Sequence, residues 1–205
     1  MKLPGPEINP LKKIAIFASG TGTNAQKIID HFRANPDISI ALIVSNKPGA
    51  GVLQIAAAEN IQALVIDKEK FFRGNAYADE LKAMGINLIV LAGFLWKIPP
   101  ALIHAYPESI INIHPALLPK YGGRGMYGHH VHDAVMLSGD HETGITIHFV
   151  DELYDHGKNI FQATVPVTPE DDAASIARKV QVLEHQYYPE VIDSLLKKRS
   201  SHSYE

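Results

Sequence analysis

Asn112 and His114 stand two residues apart in Ile111-Asn112-Ile113-His114-Pro115. On a strand that spacing sends both side chains out of one face, while Ile111 and Ile113 turn into the core on the other. An amide can donate to a developing oxyanion, and an imidazole can handle a proton near neutral pH. A lone Asn and His near a strand end are more often structural hydrogen-bonders, so a third polar group decides the matter. Asp155 lies in Tyr154-Asp155-His156-Gly157, a polar stretch after the alternating run that contains His148. A carboxylate there is suited to orient an imidazole, stabilise its charge or hold a water. Spacing alone does not bring Asp155 to His114, and Asp151, Glu152 and His156 compete for the same part.

A second run with chemical content is Ser19-Gly20-Thr21-Gly22-Thr23-Asn24-Ala25, set between an apolar strand and a helix-like stretch. Gly20-x-Gly22-x-x-Ala25 matches the dinucleotide fingerprint, a weak signal on its own. Small residues there let backbone N–H groups crowd an anion at a helix N-terminus, and Thr21, Thr23 and Asn24 add side-chain donors. A nicotinamide dinucleotide further demands an acid at the end of the second strand. Ser45-Asn46-Lys47-Pro48 stands there instead, so NAD is disfavoured and Lys47 keeps only an NADP-linked oxidoreductase open. A tight turn with a helix cap is the plain structural reading, but phosphate binding better explains three consecutive-turn donors. A phosphoribonucleotide-binding module without catalysis is the remaining alternative.

The composition bounds these readings. The 205 residues are 46% hydrophobic and 20% charged, with no cysteine, so thiolate nucleophiles, Cys zinc sites, iron–sulfur clusters and disulfides are excluded. A net charge of −3 offers no basic field for nucleic acid. His129, His130, His132 and His141 lack a helical His-x-x-x-His pair with a fitting acid, so they are expected in a solvated loop and no metal is expected. The start lacks the basic-then-apolar pattern of a signal peptide, and no run approaches a membrane span, which predicts a cytoplasmic protein.

The elements that must position these residues alternate along the chain. Strands are predicted at 14–18, 38–44, 63–66, 87–92 and 109–113, with helices at 23–34, 52–59, 76–84 and 98–106 between them. The fully apolar run at 87–92 reads as the central strand. After the Gly122–Gly128 loop come a helix near 130–137, alternating strands at 144–150 and 161–167, and a last helix over about 172–196. Ile176, Val180, Leu183, Tyr187, Val191 and Leu195 mark an apolar stripe on that helix, and Pro189 is expected to bend it. The fold class is therefore α/β: a Rossmann-like open sheet, mainly parallel in its N-terminal half, with a mixed, antiparallel extension and helices on both faces. One domain is expected over 12–197, with a phosphate-binding half at about 12–110 and a catalytic half at about 111–197. A loose arm is expected at 1–11 and a polar tail at 198–205.

The combination of Ala18-Ser19-Gly20-Thr21-Gly22-Thr23-Asn24, Val44-Ser45-Asn46-Lys47, Leu91-Ala92-Gly93-Phe94, Asn112-Ile113-His114-Pro115-Ala116-Leu117-Leu118-Pro119-Lys120-Tyr121, Thr143 to Val150 and Glu184-His185-x-x-Tyr188-Pro189 resembles the phosphoribosylglycinamide formyltransferase family. The resemblance runs from about Lys13 to Ile192. The Asn-x-His-Pro-x-Leu-Leu-Pro run is a mark of the wider formyltransferase superfamily, and the Ser-Gly-x-Gly-Thr-Asn loop narrows it to this branch and to formyltetrahydrofolate hydrolase. Length favours the transferase: the hydrolase carries an extra N-terminal module, and methionyl-tRNA formyltransferase an extra C-terminal domain.

The resemblance implies that Gly22, Thr23 and Asn24 hold a nucleotide phosphate and that Glu184 contacts the ribose. It implies a triad of Asn112, His114 and Asp155, supported by His148 and Pro115. The formyl donor, 10-formyltetrahydrofolate, is expected against Leu95, Trp96, Lys97 and Ile98 and against Tyr154 and Asp155. The implied reaction is direct attack of the glycinamide ribonucleotide amine on the formyl carbon through a tetrahedral intermediate, without metal or redox cofactor. The implied partners are those two substrates, in a monomer or homodimer. The Gly122–His130 loop is about four residues longer than in the familiar bacterial form, and its glycines suit either a mobile lid or a plain flexible connector. Trp96-Lys97 stands where the family would place an Arg toward the folate.

Overall fold

The computed structural model describes residues 11–201. Its strands are β1 (Lys12–Phe17), β2 (Ile38–Ser45), β3 (Gln62–Val65), β4 (Ile86–Leu91), β5 (Ile110–His114), β6 (Glu142–Phe149) and β7 (Asn159–Pro166). Its helices are α1 (Thr23–Phe32), α2 (Gly51–Ala58), α3 (Lys68–Phe72), α4 (Ala76–Ala83), α5 (Pro100–Ala105), α6 (His129–Ser138) and α7 (Ala173–Ser201). The strands form one sheet in the order β3-β2-β1-β4-β5-β6-β7. β1 to β5 run parallel, whereas β6 is antiparallel to both β5 and β7. The expected α/β architecture with its antiparallel extension is thus the one observed.

Alternation along the strands splits the core between the two faces of the sheet. On β4, Leu88 and Val90 join Ile14, Ile16, Ile43, Ile111, Ile113, Ile145 and Ile147 beneath α1, α2, α6 and α7. Ile89 and Leu91 point the other way, to Ala15, Phe17, Leu42 and Val44 and the helices α3, α4 and α5. Leu88, Ile89 and Val90 are fully buried, as a strand covered on both faces must be. Burial at about 25 cal/mol per Å² of apolar surface is the main favourable term holding such layers together.

Two expected boundaries are corrected, and one short helix joins the expected elements. That helix is α3, capped by Asp67, which accepts the Lys70 N–H at 2.8 Å. α5 starts at Pro100 rather than Ile98, because Pro99 is extended and Pro100 takes the first helical turn, where its missing N–H costs nothing. α7 reaches Ser201, four residues into the expected polar tail, with Asp193 and Lys197 paired one turn apart. Its most buried column is Ile176, Val180, Tyr188, Ile192 and Leu196, and Leu183, Tyr187, Val191 and Leu195 pack beside it. Apolar residues in adjacent columns make one broad stripe, and Pro189 lies inside a helix that continues through it. The expected arm at 1–11, save Leu11, and the expected tail beyond Ser201 lie outside the described residues.

Candidate active site

The C-terminal end of β5 gathers the polar groups. In the antiparallel register of β5 and β6, Asn112 faces His148 and His114 faces Thr146. Asn112 Nδ2 donates to His148 Nε2 at 3.1 Å, and His148 Nδ1 donates to the Phe149 carbonyl at 2.8 Å. A carbonyl only accepts, so the proton of His148 sits on Nδ1 and Nε2 receives the amide hydrogen. Burial pushes the His148 pKa down, which agrees with a neutral ring that serves as an acceptor. This fixes the Asn112 amide and leaves its second N–H for the space in front of the strand.

His114 is held in a complementary way. Its Nε2 donates to the Tyr121 carbonyl at 2.7 Å, so Nδ1 is the atom turned to Asp155, at 3.6 Å from Oδ2. Asp155 Oδ1 stands 3.7 Å from His148 Nε2. Both separations exceed hydrogen-bond length; the one to His114 is a charge contact when that ring carries a second proton, whereas neutral His148 turns its unprotonated Nε2 to the carboxylate. The Asp155 carboxylate also accepts the Gly123 N–H at 2.9 Å. Asp155 has a positive φ of 51°, a region that Asp tolerates better than most residues. Gly157 holds that turn in place: a Cβ there would collide with the Phe149 carbonyl oxygen. The competing groups are spoken for elsewhere, as His156 Nδ1 pairs with Asp151 at 2.8 Å and Glu152 with His104 at 3.0 Å.

These side chains open onto a cavity of about 690 Å³, the size of a small-molecule site. Asn24, Asn112, His114, His148, Asp155 and Glu184 all border it. Glu184 comes from α7 and accepts from Asn24 Nδ2 at 2.9 Å, and Asn24 Oδ1 is buried without a protein partner. Burial raises the Glu184 pKa, and the Asn24 bond opposes that rise only in part. Gly22 begins α1 with φ of 84°, and a Cβ on it would strike Val52 and Ile55. The Ser19 hydroxyl knits the loop to its surroundings: it donates to Asn46 Oδ1 at 2.6 Å and accepts the Leu95 N–H at 2.9 Å. Asn46 is therefore engaged where a dinucleotide fold would place its ribose-binding acid. Gly22 and Thr23 lie beside the cavity rather than on its wall, with Thr23 reached by Gln181 at 3.4 Å.

Leu95, Trp96, Lys97, Ile98, Tyr154 and Pro115 border the same cavity. Trp96 divides its surface, because its ring also packs 5.8 Å from Phe71 and 5.6 Å from Phe72. Ile98 is 3% exposed and belongs mostly to the core. Lys97 Nζ lies 5.4 Å over the Tyr154 ring, a cation–π contact that joins the two walls.

The structure adds residues that the sequence reading left out. Arg124, Met126 and Tyr127, from the loop before α6, border the cavity, as does His132. His132 corrects the solvated-loop expectation: it lies in α6, is 8% exposed and has its pKa lowered by burial. Arg178 and Gln181 border the cavity from α7, in helical step with Glu184, a polar spacing that was readable beside the apolar stripe. Thr146 was also missed. Its hydroxyl donates to the Ala116 carbonyl at 2.7 Å and accepts from the Leu118 N–H at 2.9 Å and from Gln162 at 2.8 Å, which pins the segment after His114.

Residues 12–192 match the formyl transferase family. Among curated proteins, a phosphoribosylglycinamide formyltransferase of Haemophilus influenzae is 39% identical over 89% of this chain and 86% of its own length. A chloroplastic phosphoribosylglycinamide formyltransferase of Arabidopsis thaliana is 39% identical over 92% of this chain; the chain spans 66% of that protein's length. Among solved structures, glycinamide ribonucleotide transformylase 1 of Geobacillus kaustophilus superposes with a TM-score of 0.81 at 38% identity, covering 91% of this chain and 99% of that one. The phosphoribosylglycinamide formyltransferase of Bacillus halodurans gives 0.83 at 35% identity, with 95% and 100% covered.

Proposed function

The chain belongs to the formyl transferase family, and from that premise we propose that it transfers the formyl group of 10-formyltetrahydrofolate to the amine of glycinamide ribonucleotide, a step of purine synthesis. The observation that carries this reading is the convergence of Asn112, His114 and Asp155 on a cavity that the Asn24–Glu184 pair also borders. The first set has groups for proton and oxyanion chemistry, and the second has hydrogen-bonding groups beside a glycine loop at a helix N-terminus. A nucleotide amine and a carbonyl donor need these two features within one pocket.

In the proposed reaction the amine nitrogen attacks the formyl carbon, the bond from that carbon to the folate nitrogen breaks, and one proton passes from the amine to the folate nitrogen. The free N–H of Asn112 and the Nδ1–H of a protonated His114 stabilise the charge that develops on the formyl oxygen. Loss of one such donor typically costs about 2.7–4 kcal/mol. Asp155 favours the imidazolium through charge and, by its bond to Gly123, couples the triad to the loop that borders the cavity. Gly22, Thr23 and Asn24 take the phosphate end of the substrate, and Glu184 takes its ribose. Leu95, Trp96, Lys97, Ile98 and Tyr154 make the folate wall, with Lys97 the cation available to a carboxylate. Pro115 and His148 hold the triad in register. No described helix is long and apolar enough to cross a membrane, in keeping with work in an aqueous compartment such as the cytoplasm.

The test is turnover, followed by the folate absorbance change when the protein meets a 10-formyltetrahydrofolate analogue and glycinamide ribonucleotide. Asn112→Ala is expected to lose about 10²–10³ in kcat. Absence of turnover in the unaltered protein, with binding of NADPH instead, would overturn the assignment. An Asn112→Ala protein with unchanged kcat would overturn the mechanism.

A further inference from the structure

Outside the cavity, α6 opens with His129 and His130, and Asp133 follows on the same face four and three residues later. One donor atom from each of the three lies within 4.8 Å of the others. The two imidazoles are adjacent, with ring centroids 4.0 Å apart, and Tyr127 sets its ring edge-on against His130 at 5.5 Å. Both histidines are exposed and Asp133 is half-buried, so the carboxylate is the fixed member and the rings are free to close on it. Among the described residues no hydrogen bond or ion pair occupies these donor atoms.

We propose that His129, His130 and Asp133 bind one divalent cation of the zinc, nickel or copper(II) class, with water in the remaining positions. Two imidazole nitrogens and one carboxylate oxygen suit those ions better than calcium or magnesium, which prefer all-oxygen shells. Bonds of about 2.0–2.1 Å around a tetrahedral ion set donors about 3.4 Å apart, so the exposed rings need only small rotations to reach that spacing. The amino end of a helix opposes a cation, and the Asp133 carboxylate supplies the charge that offsets this. The ion has no place in formyl transfer. Its structural effect falls on the start of α6, because His129 directly follows Gly128, the last residue of the loop that borders the cavity. Coordination would tie the first turn of α6 and hold that end of the loop.

Metal binding is measured on the full chain with zinc and nickel salts, in competition with a chromophoric chelator, and with cobalt(II), whose visible bands report coordination directly. One ion per chain is expected, with the melting temperature rising as zinc is added. His129→Gln, His130→Gln and Asp133→Asn are each expected to weaken binding at least tenfold, whereas His141→Gln and His156→Gln leave it unchanged. These side chains are partly or fully exposed, so equal melting temperatures without metal confirm that each variant folds. No binding at millimolar metal, or a stoichiometric site that survives the His129→Gln/His130→Gln double substitution, would overturn the proposal.

Discussion

Asp155→Asn separates charge from geometry at the triad. The replacement amide keeps an oxygen for the Gly123 N–H, now bonded at 2.9 Å, so the loop anchor survives while the negative charge is lost. That charge stands 3.6 Å from His114 Nδ1, between side chains that are 4% and 12% exposed. At an effective dielectric of about 20, unit charges at that distance attract by about 4–5 kcal/mol. The low exposure of both groups means that little of this is screened by solvent. His114 acts as the imidazolium in the transition state, so loss of that attraction adds most of this energy to the barrier, and each 1.36 kcal/mol is a factor of ten. We therefore expect kcat for formyl transfer to fall by about 10³, with KM for both substrates changed far less. Steady-state rates at saturation, with a thermal melt of each protein, make the comparison. Asp155→Ala, which also removes the loop anchor, is expected to lose the same factor in kcat and to raise KM as well. A kcat for Asp155→Asn within tenfold of the parent, at equal melting temperature, would refute charge stabilisation of His114.

Three further outcomes follow from the packing and the electrostatics. The Tyr188 hydroxyl is fully buried and donates to the carbonyls of Leu91 at 2.9 Å and Ile111 at 3.3 Å, so Tyr188→Phe loses a buried hydrogen bond and should cost about 0.5–1.5 kcal/mol, seen as a melting temperature a few degrees lower. Gly157→Ala forces the Asp155 turn away from the Phe149 carbonyl, so kcat should drop more than stability does; a variant with parental kcat contradicts this. Glu184 has its pKa raised by burial, so its ionisation is harder in the folded than in the unfolded state. Its contribution is favourable below the ordinary glutamate value of about 4.3 and is lost as pH rises through the higher folded value. Urea melts should then show Glu184→Gln gaining stability over the parent as pH rises through that window, with the difference vanishing below it, while KM for the nucleotide rises; a gain at low pH instead would reverse the sign and sink the reasoning.

The strand-and-helix order was readable because β4 and its neighbours are buried on both faces and so carry unbroken apolar runs. Asn112 and His114 were readable for a related reason: their two-residue spacing at a strand end survives in any register. Asp155 was only nameable as one of several acids, since its approach to His114 depends on a left-handed turn and on the closeness of Gly157 to Phe149. No local pattern records such a contact. His132 was misplaced because it was grouped with His129, His130 and His141 as solvated, although it falls inside the helix expected near 130–137, next to Val131 and one turn before Val135 on the buried side. Thr146 escaped because its three bonds reach β7 and the loop after His114, and a lone Thr in an alternating strand looks like any other inward residue. Trp96 shows the converse. A site residue by position, it spends much of its ring on Phe71 and Phe72.

α7 packs against α1, α6, β6 and β7 and also supplies Glu184 and the Tyr188 hydroxyl. It follows every strand in chain order, so the ribosome completes the sheet before the helix that finishes the cover over one face of it. During that interval the inner face of β6, with Ile145 and Ile147, lacks the helix that packs on it, the state of a growing chain most open to misassociation. Asn24 still lacks the carboxylate that orients it, and the carbonyls of Leu91 and Ile111 lack the Tyr188 hydroxyl. Docking of α7 ends all three conditions at once. The nascent protein thus passes from sticky and inert to sealed and competent in a single event, and any delay in that event prolongs both hazards together.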